Sequence, residues 1–240
     1  MSSSDGRAVS IKMILSSSIV LTSCEYSIKH NVRVVEPYLC YYSILNCCRC
    51  FLYKIPSPFM EWNDGELMTM NHSKAINYTV DYLKIASRTL ANRFENDMSI
   101  LKYYRELFSY HFPANGLGSV KNGITFNGIV ERCKLLVELA QYNSSLLHKA
   151  FVRKSNYKHR AFTLKGEYAS KGFIYEGKNE MLIDKDDYYR ISYICRKYNV
   201  IYSLYHTMTE GMTEDFFGAW CSDKEGYNPD ENWKMIFDIP

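Results

Sequence analysis

The sequence lacks several patterns that identify common protein classes. No uninterrupted apolar run reaches the ~18 residues of a membrane-spanning helix, so no stable membrane span is expected. Between Asn71 and Met208, no alternating apolar pattern of useful length predicts a strand. HExxH and GxSxG motifs do not occur, and "GLGSVKNG" lacks the Lys-Ser/Thr of a phosphate loop. These absences disfavour a β-rich fold and the commonest hydrolase and nucleotide sites.

Charge and cysteine are concentrated in particular regions of the chain. The formal net charge is only +3, yet residues 1–60 carry six Lys/Arg against three Asp/Glu, while residues 61–240 carry 23 of each. Five of the eight cysteines also lie in the first sixty residues. This change in composition predicts a Cys-rich, loosely ordered extension over residues 1–60. Residues 61–240 are expected to form one helical bundle domain with the C-terminal tail packed on it.

The first sixty residues leave two alternatives open. The sequence "LTSC" ending at Cys24 resembles the cleavage site of a bacterial lipoprotein, in which this cysteine would be lipidated. Three serines interrupt the preceding apolar stretch, which favours a cytoplasmic protein over a secreted one. The cluster "CCRC" at 47–50 has no second pair of cysteines to complete four ligands, so neither a metal site nor a cofactor is predicted.

Apolar residues at helical spacing dominate the rest of the chain. The spacing predicts helices over Asn71–Phe94, Asn96–Phe112, Thr125–Ala150, Asn156–Ser170 and Asp184–Gly211, of which the third is expected to be central. The fold class is therefore all-α, a helical bundle of about five main helices with a poorly ordered N-terminal extension.

Shorter elements are expected between and after these helices. The segment "YEGKNE" is compatible with a short hairpin between the last two helices. In the tail, "NPDENWKMIF" predicts a short helix that packs Trp233, Met235 and Phe237 onto the bundle.

Two segments repeat the same spacing of arginine and histidine. "RELFSYH" joins Arg105 to His111, and "RKSNYKH" joins Arg153 to His159. A histidine titrates near neutrality and can move the proton of a ribose 2′-hydroxyl, while an arginine can hold a phosphate through two hydrogen bonds. Six residues turn a helix by about 240°, so the arginine and histidine of one motif point in different directions. A catalytic site would need a residue from another helix or another subunit.

This spacing on an all-helical body resembles the HEPN-like superfamily of helical ribonucleases and toxins. The resemblance implies a metal-independent endoribonuclease that works as a homodimer, or a relative that binds RNA without cutting it. It also implies a toxin or antiviral defence effector. Arg105 and His111 are the catalytic candidates. Glu106 and Lys154 stand where active members often have a small polar residue, which favours RNA binding over cleavage.

A basic segment supports a nucleic-acid target independently of these motifs. Between Lys149 and Lys171, seven Lys/Arg stand against the single acid Glu167, with aromatic residues among them. Cations and aromatic rings suit single-stranded nucleic acid, since phosphates meet charge and bases meet π faces. The candidate nucleic-acid-binding residues are Lys149, Arg153, Lys154, Lys158, His159, Arg160 and Lys165.

Two other functions are alternatives to RNA binding, which makes three in all. Residues 176–238 hold thirteen acids against seven bases, so intramolecular or homodimeric pairing can neutralise the basic segment. A noncatalytic protein–protein interaction module is the alternative that follows from this pairing. The third is the surface lipoprotein that Cys24 would anchor.

Overall fold

The computed structural model describes residues 5–55, 70–116, 123–154, 174–176, 181–183, 185–186, 189, 210–220 and 234–236. Six α-helices of this part are α1 Asp5–Lys29, α2 Glu36–Leu52, α3 His72–Ala86, α4 Arg88–Glu106, α5 Phe126–Lys154 and α6 Glu210–Trp220. A 3-10 turn, Arg33–Val35, joins α1 to α2, and a π-helical turn, Leu107–His111, extends α4. The predicted all-α helical bundle is confirmed.

A short hairpin is the only sheet among the described residues. Strands β1 Ile174–Glu176 and β2 Met181–Ile183 pair antiparallel, with Tyr175 opposite Leu182. This confirms the hairpin that the sequence suggested near "YEGKNE".

Helix α2 lies at the centre of the bundle, where it packs against α1, α3, α4 and α5. Its interior-facing side chains include Tyr41, Ile44, Leu45, Phe51 and Leu52, each at most 1% exposed. A helix enclosed on several sides must be apolar around most of its circumference. The helix "EPYLCYYSILNCCRCFL" meets that requirement because its cysteines are small apolar residues that fill narrow gaps.

The expectation of a loosely ordered extension over residues 1–60 is therefore wrong for residues 5–55. Met13, Ile14, Leu15 and Leu21 of α1 are also core residues. The expectation that Thr125–Ala150 would be the central helix is corrected as well. That segment does form α5, and its stripe of Ile129, Cys133, Leu136, Val137 and Ala140 is buried as predicted, but it packs against α2 from outside.

Serine hydroxyl groups explain why α1 is a core helix despite its polar composition. Ser17 donates to the Ser43 carbonyl at 2.8 Å, and the Cys47 thiol donates to the Ser17 hydroxyl at 3.2 Å. Ser18 and Ser27 satisfy their hydroxyls on carbonyls of their own helix. A buried hydroxyl costs little once it is hydrogen-bonded, so serines that interrupt an apolar run need not expose it.

The cysteines are packing residues in this structure. Cys24, Cys40, Cys47, Cys48, Cys50 and Cys133 are all buried free thiols. Burial raises the pKa of the Cys48 thiol to about 12, and it also raises the pKa of the Cys50 and Cys133 thiols. Protonated thiols are poor nucleophiles and poor metal ligands. Cys133 is thus a core residue, while Cys195 and Cys221 lie outside the described residues.

The position of Cys24 bears on the lipoprotein alternative. Its side chain is fully buried, and its sulfur lies 3.6 Å from that of Cys40 on α2. A chain cleaved before Cys24 would lose the helical turns that place Ser17 and Leu21 against α2. This packing argues against Cys24 as the lipidated residue.

Several helix boundaries differ from those expected. The segment Asn71–Phe94 is two helices, because Ser87 has extended backbone and its hydroxyl accepts from the Leu90 amide to cap α4. Asn71 caps α3 as expected, accepting from the Lys74 amide at 2.8 Å. Gly211, expected to end a helix, lies in the first turn of α6.

Other expectations concern the last third of the chain. The predicted helix Asn156–Ser170 lies outside the described residues, as does most of Asp184–Gly211. In the tail, Met235 packs against the core and Ile236 is buried, which confirms the contact predicted for Met235. Trp233 and Phe237 are outside the described part. No helix among the described residues is both long enough and apolar enough to cross a membrane.

The central position of α2 gives a test with a matched control. Replacing the fully buried Ile44 with alanine removes packed methylene groups and should lower the free energy of unfolding by about 2–5 kcal/mol. The same change at Ile85, which is 70% exposed, should alter it by less than about 0.5 kcal/mol. Urea unfolding followed by circular dichroism measures both. Equal effects of the two variants would contradict the assignment of α2 to the core.

Candidate functional site

The end of α4 positions the arginine and histidine of the first motif. Helix α4 continues as the π-helical turn and stops at Phe112, whose backbone is left-handed with φ of 37°. Pro113 follows, and proline disfavours a helical conformation in the residue before it. The predicted stop is therefore confirmed. It places Arg105 in the last α-helical turn and His111 at the tip of the element.

Arg105 is held by contacts from three directions. Its guanidinium lies 4.7 Å from the centre of the Tyr41 ring on α2, a cation–π contact. Its Nη1 lies 3.4 Å from His72 Nδ1, and its Nη2 donates to Glu106 Oε1 at 3.3 Å. The Arg105 side chain is only 19% exposed. An arginine stacked and hydrogen-bonded in this way keeps a fixed orientation.

His72 is a functional candidate that the sequence motifs did not reveal. It is the first residue of α3, directly after the Asn71 cap. Its ring lies 5.7 Å from that of Tyr41 and 5.6 Å from that of Tyr42, the latter edge-on. Partial burial lowers the His72 pKa, and the nearby charges of Arg49 and Arg105 lower it further. His72 is therefore neutral at physiological pH.

His111 does not meet Arg105 within one chain. Its side chain is exposed, and no hydrogen bond or ring contact joins these two residues in the described part of the chain. Helix geometry explains this, since the six-residue spacing points the side chains in different directions. The structure thus pairs Arg105 with His72, and it leaves His111 open to solvent.

The second motif lies only partly within the described residues. Lys149 and Arg153 are exposed on α5, and Lys154 ends that helix. The structure therefore describes only the first residues of the basic segment. Outside the described part lie Lys158, His159, Arg160 and Lys165.

The two arginine motifs are far apart along the bundle. Arg132 on α5 donates to Asp97 on α4 at 2.8 Å, and this partly buried ion pair joins the two helices. Arg153 lies a further ~32 Å along α5, whereas Arg105 lies only ~12 Å from Asp97 along α4. Arg105 and Arg153 therefore do not lie in one site within a single chain.

No family model, curated protein or solved structure matches this chain. The resemblance to HEPN-like ribonucleases thus stays a prediction based on the spacing of the two motifs. Among the described residues, no group of three or more histidines, cysteines or carboxylates is placed to hold a metal ion. The arrangement around Arg105 has the chemistry of a cationic site: guanidinium groups, a neutral imidazole and tyrosine hydroxyls.

The lowered His72 pKa predicts how stability depends on pH. Below the unfolded value of 6.5, the unfolded state takes up a proton on His72 before the folded state does. The free energy of unfolding should therefore fall as the pH drops from 6.5 to the lowered pKa. In His72→Gln, which keeps an acceptor for Arg105 but does not titrate, this fall should be smaller.

Urea denaturation of both proteins at pH 7.5 and pH 5.5 measures the difference. The wild type should lose more stability than His72→Gln between the two values. Identical losses would show that His72 titrates alike in both states, contrary to the environment described above.

Proposed function

We propose that the protein binds single-stranded RNA at the C-terminal end of α4. The observation that carries the proposal is a set of three exposed aromatic side chains: Tyr103 is 59% exposed, Tyr110 79% and Phe112 67%. With Arg105 and His111, these residues form what we call the α4-end surface. Large exposed rings beside a guanidinium and an imidazole suit unstacked bases and phosphates together.

The positions of the rings favour stacking. Tyr103 lies near the end of α4 and Tyr110 in the π-helical turn that continues it, so one continuous helical element carries both rings. Buried neighbours Leu101, Tyr104 and Phe108 hold this end of α4 against the bundle. The rings are therefore carried on a fixed support, which reduces the entropy lost when a base stacks on them. The exposed Lys149 and Arg153 begin a second cationic region for phosphates.

The proposal extends to cleavage without a metal ion. His111, exposed and adjacent to Tyr110, would accept the proton of a ribose 2′-hydroxyl as its oxygen attacks the neighbouring phosphorus. The bond between phosphorus and the 5′-oxygen would break, the 5′-oxygen would take a proton from water, and a 2′,3′-cyclic phosphate would remain. Because Arg105 and His111 of one chain are not in contact, a homodimer would supply the facing pair. Such an enzyme, acting in the cytoplasm, would arrest growth as a toxin or antiviral effector.

A second candidate function is noncatalytic binding of another protein. The connection between α1 and α2 exposes Val32, Val34 and Val35, at 48%, 41% and 37%. Three nearby apolar side chains in solvent are compatible with a protein contact. RNA binding is favoured because the α4-end surface combines rings with cationic groups.

Stacking can be tested by removing one exposed ring at a time. Tyr110→Ala should weaken binding of a single-stranded RNA by roughly tenfold, since one base–aromatic stack contributes about 1–3 kcal/mol. Trp220→Ala is the control, because Trp220 is 71% exposed but lies on α6. Fluorescence anisotropy with a labelled RNA measures both. Equal affinities of Tyr110→Ala and wild type would remove the support for this surface.

Salt dependence separates RNA binding from protein binding. Contacts with several phosphates release counterions, so the affinity for RNA should fall steeply as salt rises from 50 to 200 mM, roughly ten- to a thousandfold for a few contacts. The same anisotropy assay measures the slope. An affinity that does not respond to salt would favour the protein-interaction alternative.

Cleavage is tested separately from binding. Wild-type protein should cut a mixed RNA pool at neutral pH in the presence of a chelator, and His111→Ala should abolish cutting without changing the circular dichroism spectrum. RNA that stays intact with wild type would exclude the nuclease while leaving RNA binding open. Gel analysis of the products, with detection of cyclic phosphate ends, gives the result.

A further inference from the structure

Two arginines from different helices converge on the start of α3. Arg49 of α2 donates from Nη2 to the Met70 carbonyl at 3.3 Å, two residues before His72. Arg105 of α4 approaches the same histidine from the other helix, with Nη1 at 3.4 Å from Nδ1. The inner arginine cluster, as we call it, consists of Arg49, His72 and Arg105. Three elements distant in sequence thus place their donors in one region.

The electrostatics of this cluster favour an anion. The groups that face His72 are Tyr41, Tyr42 and Arg49 from α2, and Arg105 with its partner Glu106 from α4. On its own helix, the Lys74 ammonium lies over the Tyr78 ring. Among the described residues, Glu106 is the one carboxylate paired with Arg105, and its side chain is 41% exposed. Two guanidinium charges against one partly solvated carboxylate leave an excess of positive charge.

Two donors of the cluster remain for a ligand. Arg49 Nε is buried and has no hydrogen-bond partner among the described residues, which is an unfavourable state for a charged donor. Because His72 Nδ1 faces a guanidinium N–H, it accepts, and the neutral ring carries its proton on Nε2. Both groups would be satisfied by acceptor oxygens. The contact of Arg105 with the Tyr41 ring fixes the plane of the Arg105 guanidinium, so its N–H groups are also oriented for acceptor oxygens.

We propose that the inner arginine cluster binds a phosphoryl group. A tetrahedral phosphate offers several acceptor oxygens in different directions, as donors from three separate elements require, whereas a carboxylate offers two in one plane. Tyr42 and Glu106 lie at the edge of the cluster and are each about two-fifths exposed. The phosphoryl group belongs either to an RNA terminus or to a free phosphate, and only the first source rests on the RNA proposal.

Nuclear magnetic resonance of the His72 imidazole in the full chain tests the site directly. Inorganic phosphate is added at constant ionic strength, with chloride as the reference anion. A bound phosphate stabilises the protonated ring, so the His72 pKa should rise and the resonance shift should saturate. Arg49→Gln should abolish the response. Arg93→Gln, an exposed arginine on α4, should leave it unchanged.

A second variant covers the case in which Arg49→Gln fails to fold. Arg49→Lys keeps the positive charge but loses Nε and the planar fork, so phosphate should bind at least fivefold more weakly. A His72 resonance that responds no more to phosphate than to chloride would overturn the proposal. So would equal losses in Arg49→Lys and Arg93→Gln.

The source of the phosphoryl group is distinguished with RNA oligomers. If an RNA terminus occupies the cluster, a 5′- or 3′-phosphorylated oligomer should bind about tenfold more tightly than its hydroxyl counterpart, and Arg49→Gln should remove the difference. If inorganic phosphate shifts His72 but the oligomers bind equally or not at all, the site holds a free phosphate. Oligomers that do not bind at all would remove the RNA proposal and keep this one, whereas equal binding of the two oligomers would keep both proposals with a free phosphate in the cluster.

Discussion

The enclosure of α2 by four other helices is the constraint on which the rest of the structure depends. It fixes Tyr41 against the Arg105 guanidinium and brings Arg49 to the start of α3, so the cationic cluster exists only because this helix is buried. The enclosure in turn relies on small polar side chains. Ser17, Ser43 and Cys47 satisfy one another or nearby carbonyls between α1 and α2, which removes the cost of burying these three groups.

The structure separates two roles that the sequence had combined in a single motif. Arg105 is turned inward, where Tyr41 and His72 orient it, while His111 stands in solvent beside exposed rings. An inward arginine suits the binding of a phosphate, whereas an exposed histidine suits acid–base chemistry on a flexible substrate. The RNA proposal uses both, and the phosphoryl-site proposal uses only the inner one. The two ideas can therefore fail independently.

Much of the fold could be predicted from helical periodicity, and the errors have physical causes. The stripes of α3 and α5 and the Asn71 cap follow from spacing and capping rules that act locally. The burial of α1 and α2 in the core could not be predicted in this way. Serine and cysteine look polar or reactive in a sequence until their hydrogen-bond partners are known. Nor could spacing along one chain reveal His72, whose role depends on contacts with Tyr41 and Arg105, which are distant in sequence. His159 and its basic neighbours up to Lys165 lie outside the described residues, so their role in nucleic-acid binding stays a prediction from the sequence.

Hydrogen exchange of the backbone amides of α2 tests this account most directly. A helix enclosed on several sides can exchange only when the whole domain unfolds. The amides from Cys40 to Leu52 should be among the slowest to exchange in the protein, with a protection that matches the global free energy of unfolding. Exchange of this segment at the rate of an exposed loop, while α3 and α5 stay protected, would contradict it.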